Sequence, residues 1–190
     1  MTTLILGLAI FLGAHSVSIV APAWRDAVAA RLGALPWRIV YSLVSLAGFV
    51  LLVRGYAAAR LDPVVVYQPP VFLRHVAALV MLPVFPLLLA AYLPGRIKTA
   101  TKHPMLAATK AWALAHLLAN GMLADVLLFG GFLAWAVADR ISAGKRPARA
   151  IPGAPPSKWN DSIAVVGGLV LYVVFLMWAH VRLIGVAPLP

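Results

Sequence analysis

From Leu4 to Val20 the chain contains no Asp, Glu, Lys or Arg, and comparable apolar runs return near 39–53, 76–93, 104–118, 122–138 and 163–181. A segment of this kind placed in lipid has no water for its backbone N–H and C=O groups, so it must pair them internally as a helix. The pattern predicts an all-α fold: a polytopic membrane helical bundle of about six transmembrane helices, forming a single domain over 1–190. The bulk composition agrees, at 63% hydrophobic residues, 11% charged residues and a mean hydropathy of +0.96. A secretory signal peptide is the alternative for the first run, because Ala21-Pro22-Ala23 loosely imitates a cleavage site. Met1-Thr2-Thr3 lacks the basic residues of an n-region, which favours a retained span.

Charge is asymmetric, with 16 Lys and Arg against 5 Asp and Glu. These cations lie between the apolar runs and form no continuous basic face, so the expected partner is the lipid bilayer and not nucleic acid. They also predict orientation. If connectors one, three and five share a side, only Arg54, Arg60, Arg74 and Arg182 fall opposite, and the other twelve of the 16 cations mark the cytoplasmic face. Both termini are then periplasmic in a bacterial inner (cytoplasmic) membrane. Lys110, inside the fourth span, is placed to snorkel back to that face.

The connectors carry further expectations. The middle of 21–37 reads as a short interfacial helix. Ser42, Ser45 and Gly48 form a small-residue stripe for a neighbouring helix. The segment around Asp62 to Pro70 is too interrupted to span, and reads either as a linker or as the cover of a pocket mouth. Pro83 and Pro86 predict a bend within the third span. Asn120-Gly121 reads as a tight reversal, making 104–118 and 122–138 a short helical hairpin, with a re-entrant hairpin as the alternative. Asp125 reads foremost as the first-turn acid of the fifth helix. The proline-rich and basic 139–161, which includes Arg149, reads as a flexible exposed connector.

Cysteine is absent, which excludes disulfides, thiolate ligands, iron–sulfur clusters and Cys-linked haem. Metal chemistry would therefore rest on the five histidines. His103 and His116 are about 20 Å apart along one helix and nearly opposite in face, so they do not grip one metal together. His75 and His180 fall at span ends near the outer interface, where a structural or surface role is expected. His15 lies about 18 Å into the first span from outside, and His116 about 18 Å into the fourth from the cytoplasm. An ionisable residue at such depth is a functional-site hypothesis. Two deep imidazoles suit a b-type haem with one nitrogen on each face; a buried pair without metal is the alternative. Trp112 and Asn120 flank His116 on its helix face and join it as candidate cofactor-binding residues.

Several motifs resemble one family in order and spacing. They are Gly13-Ala14-His15-Ser16, Trp37 to Leu46, Leu93-Pro94-Gly95-Arg96, Lys102-His103-Pro104 and Trp112 to Gly121. Over nearly the whole chain the sequence is similar to the NnrU membrane proteins. That resemblance implies a role in nitrite and nitric oxide reduction during denitrification, with nitric oxide reductase or other denitrification components as possible partners. The same motifs resemble zeta-carotene isomerase, a membrane enzyme with b-type haem acting on a polyene double bond. Carried over, its haem ligands fall on His15 and His116, and His103 matches a motif histidine with no ligand role. The isomerase's later histidine motif has no counterpart beyond Asn120. Function is thus expected to be that of a haem-containing accessory, redox or sensing component, with a haem-dependent cis-trans isomerase as the alternative.

Overall fold

A computed structural model describes residues 1–147 and 152–189. Its helices are α1 (Thr2–Val20), α2 (Pro22–Leu32), α3 (Ala34–Ala59), α4 (Phe72–Met81), α5 (Val84–Tyr92) and α6 (Arg96–Thr101). They continue with α7 (Pro104–Ala119), α8 (Leu123–Ala143), α9 (Asn160–Val174), a π-helical turn over Phe175–Ala179, and α10 (His180–Ile184). No β-strand forms among the described residues. The chain divides into two compact units. The first joins Met1–Tyr67 to Met122–Pro147; the second joins Gln68–Gly121 to the C-terminal segment that contains α9 and α10.

In the first unit α1 packs along α3, and α8 packs against α1. The approach is close enough that a Cβ on Gly7 would lie 2.3 Å from the Leu52 nitrogen, and one on Gly55 would lie 2.3 Å from the Leu4 nitrogen. Gly48 of the expected stripe is at this contact and buried, whereas Ser42 is exposed. The buried line instead runs Gly48, Leu52, Gly55, Ala59. A strict spacing of three drifts by about 60° per step around a helix; alternating four and three holds one line. α2 is the short helix expected between the first two spans.

Asp125 sits in the first turn of α8 and is 2% exposed. One carboxylate oxygen accepts the Met122 N–H at 3.0 Å, and the other accepts the Tyr56 hydroxyl at 2.6 Å. The first-turn reading holds, with a tyrosine from α3 added. Arg146, expected in a flexible stretch, is pinned: it donates to the Ser18 carbonyl at 2.7 Å and pairs with Asp139 at 2.6 Å. Arg149, counted above among the orienting cations, lies outside the described residues. The connector after α3 contributes Val64 and Val65, which pair with Leu123 and Met122 in an isolated antiparallel bridge.

The second unit is organised by the expected break in the third span. Pro83 has no N–H to offer the Leu79 carbonyl, so Leu82 donates to Leu79 instead, at 3.2 Å. The Ala78 carbonyl, which Leu82 would serve in an unbroken helix, accepts the Tyr172 hydroxyl from α9 at 3.0 Å. α9 presses so closely on α5 that a Cβ at Gly168 would lie 2.3 Å from the Pro86 nitrogen. At the other end of α5, Asp161 accepts from the N–H groups of Arg96 and Ile97 at 2.8 and 3.1 Å, holding the start of α6. α7 packs against α4 and α5.

Five helical segments are long and apolar enough to cross a membrane: Thr2–Val20, Ala34–Ala59, Phe72–Tyr92, Leu123–Ala143 and Asn160–Ile184. The fourth predicted span is present as α7, whose 16 residues reach only about 24 Å. The fourth and fifth predicted helices are joined differently from the expected tight reversal. Asn120 (φ −133°, ψ 137°) and Met122 (φ −78°, ψ 153°) are both extended, and the two helices belong to different units. Large apolar side chains such as Leu43, Leu46 and Val166 are exposed on the helices, as expected of faces solvated by lipid.

The Gly168–Pro86 contact predicts a stability difference. Gly168→Ala forces a side-chain carbon into backbone and is expected to cost about 1–3 kcal/mol. Gly13, which meets nothing within 4 Å, is expected to tolerate alanine. Thermal unfolding of both variants in detergent checks this, with only Gly168→Ala lowering the midpoint.

Candidate cofactor site lined by histidines

α7 begins after Lys102, a non-glycine residue at φ 60°, which turns the chain so that His103 becomes the N-cap and Pro104 the first helical residue. Buried Ala108, Ala113 and Ala115 keep this helix thin where it meets its neighbours. Near its C-terminal end His116 Nδ1 donates to the Trp112 carbonyl at 2.8 Å, and the Trp112 ring stands 5.2 Å from the imidazole. Asn120 closes the helix: its backbone N–H and its side-chain amide both donate to the His116 carbonyl at 2.9 Å. His116, Trp112 and Asn120 thus stand together at this end of α7, with His116 and Asn120, and not Trp112, lining the cavity of the second unit.

His180 comes to the same place. It follows directly on the π turn, and its Nδ1 donates to the Val186 carbonyl at 2.7 Å. Its ring lies 6.5 Å from that of His116, centre to centre, with the planes inclined by 26°. Both imidazoles line a cavity of about 120 Å³, which with the open space at its mouth reaches about 750 Å³. Ala77, Met81, Phe85 and Leu176 supply apolar wall, and Arg74, Asn120 and Tyr172 supply polar groups. Because a carbonyl oxygen only accepts, the hydrogen on each of these rings is on Nδ1, and the lone pair of the neutral ring is on Nε2. This is the tautomer that ligates through Nε2, with the backbone as the outer support.

The other histidines are elsewhere. His15 belongs to the first unit, where its Nδ1 donates to the Phe11 carbonyl at 2.7 Å. Phe11 stacks on its ring at 4.3 Å, with Tyr41 at 5.3 Å and Trp135 edge-on at 5.9 Å. His75 is exposed on α4, and His103 is half-buried at the start of α7. Sequence reasoning placed His180 at the surface of a span end and missed its meeting with His116. The available signal was direction: with six crossings α7 and the last helix run the same way, and each of these histidines lies close to its own helix's C-terminal end. Measuring the depth of His116 from the cytoplasmic end concealed the match. Among the described residues no three His, Asp or Glu side chains gather into a metal-binding group. A metal held by two imidazoles alone would be under-liganded, whereas a metal carried in a macrocycle brings four ligands of its own.

The fold and this cluster define an all-α membrane protein with a cavity walled by two histidines. The family model described as NnrU protein matches residues 3–188, nearly the whole chain, and the protein belongs to the NnrU family. No curated protein and no solved structure matches it significantly.

The Tyr172–Ala78 bond forms part of the cavity wall, which gives a second prediction. Tyr172→Phe removes the hydroxyl, keeps the ring and leaves the Ala78 carbonyl without this donor, so it is expected to cost about 1–3 kcal/mol. Guided unfolding in detergent by heat, compared with Tyr92→Phe on the exposed Tyr92, checks that the loss is specific to the bonded hydroxyl.

Proposed function

We propose that this NnrU-family protein binds a b-type haem in the cavity of its second unit, with His116 as an iron ligand, and supports nitrite and nitric oxide reduction in a bacterial inner membrane. The observation that carries the reading is that His116 lines an apolar cavity with its Nδ1 held by a backbone carbonyl. This is the arrangement that orients an imidazole for a metal. Apolar side chains would meet a macrocycle's faces and Arg74 would offer a cation to its carboxylates, while the enclosed volume of about 120 Å³ is smaller than a macrocycle, most of which would lie in the open mouth of the cavity. A bound haem would supply one-electron chemistry and an iron site for a small diatomic molecule. The residues of this chain supply the ligand, its orientation and a dry wall, in keeping with an accessory, redox or sensing role beside nitric oxide reductase or another denitrification component.

The charges favour six crossings over five. With α7 kept on one side of the bilayer the 16 cations divide evenly between the two faces; with α7 crossing, twelve of the 16 share one face. The 24 Å or so of α7 then requires local thinning or snorkelling, which costs fractions of a kcal/mol per ångström of mismatch. Lys110, half-buried on α7, has the flexible stem that snorkelling uses.

Three measurements check the reading. The protein purified from cells with ample haem is expected to show a haem absorption band that shifts on reduction, and His116→Ala is expected to lose most of it. Wild-type protein lacking the band would overturn the reading. Cells deleted for the gene are expected to consume nitric oxide more slowly, with rescue by the wild-type chain and not by His116→Ala. Reporter fusions at the two ends are expected to report the periplasm at both.

A further inference from the structure

Resting on the haem reading above, we propose that His180 is the second axial ligand and that the π turn before it exists to present it. Sequence depth pointed to His15 for this role. Within the unit that holds His116, the imidazole already facing the same cavity is His180.

Distance supports the pair. With a nitrogen–metal bond of about 2 Å on each side and about 1 Å from nitrogen to ring centre, two imidazoles sharing one metal have centres about 6 Å apart. His116 and His180 are 6.5 Å apart, centre to centre, with nearly parallel planes, close to that separation. His180 is also supported as a ligand should be, by the Val186 carbonyl on Nδ1. His15 has a different setting: it belongs to the first unit, packed near Phe11, Tyr41 and Trp135, and does not line this cavity.

The backbone supplies an independent argument. A π turn widens the helix by one residue and carries a cost, so such turns concentrate where a side chain must be re-aimed at a functional site. Here it spans Phe175–Ala179 and ends immediately before His180. Its extra residue sets His180 about 100° back from the direction that an unbroken α-helix of the same sequence would give it. The segment after α10 returns through Gly185, at φ 79° in the left-handed region, which brings the Val186 carbonyl back to the ring.

The test compares spectra of the haem-loaded protein with those of His180→Ala, His180→Met and His15→Ala. His180→Ala is expected to change a six-coordinate low-spin spectrum into a high-spin one, with added imidazole restoring the original. His180→Met, which guards against simple misfolding, is expected to stay six-coordinate with its reduction potential moved upward. His15→Ala is expected to leave the wild-type spectrum in place. If His15→Ala gives the high-spin spectrum and the His180 variants do not, this proposal is overturned and haem binding stands. If the wild-type protein carries no haem, the haem reading itself fails and this inference falls with it.

Discussion

Pro83 withholds one backbone N–H in the middle of a membrane segment, and the second unit is arranged around the consequence. In water a stray carbonyl is solvated at little cost. In lipid it must find a donor within the protein. Leu82 shifts to Leu79, Ala78 is left to Tyr172, and the tyrosine ties α9 to the broken helix. Gly168 lets the two backbones come close enough for that bond to form. Residues from both sides of the break, Ala77 and Phe85 among them, line one cavity together with His116 and His180.

The few carboxylates follow a related logic. Asp125 and Asp161 are each spent on the N–H groups at a helix start, where the positive end of the helix favours an anion. Asp125 takes a tyrosine hydroxyl besides, and Asp139 takes the Arg146 guanidinium, which also holds the Ser18 carbonyl. These acids are engaged in holding helices, and none of them lines the cavity of the second unit.

Much of the fold was legible because lipid imposes simple rules. Uncharged runs between basic connectors identified the helices, the prolines located the break, and Asp125 declared itself as a first-turn acid. What escaped depends on how elements meet. α3 runs past its apolar stretch at both ends, through Arg38 and Arg54, whose long stems a helix can carry beyond the apolar run. Asn120-Gly121 has the composition of a turn, yet the chain runs extended there, since Met122 and Leu123 pair with the strand-like Val64 and Val65. No local pattern encodes that pairing. His116, Trp112 and Asn120 were found together because they share one helix; His180 was missed because its position depends on a π turn, which has no periodic signature.

Three histidines here share one local feature: Nδ1 held by a backbone carbonyl, four residues back for His15 and His116, six ahead for His180. That feature fixes a tautomer, and it arises wherever an imidazole is placed in an environment without water, whether or not a ligand is near. It therefore does not by itself distinguish a ligand from a packed side chain. The surroundings do. His15 is packed among Phe11, Tyr41 and Trp135 in the first unit, whereas His116 and His180 line one cavity in the second with their rings 6.5 Å apart. For a membrane histidine, the useful question is then less how deep it lies than what stands at ligand distance from it, and only the packed structure answers that.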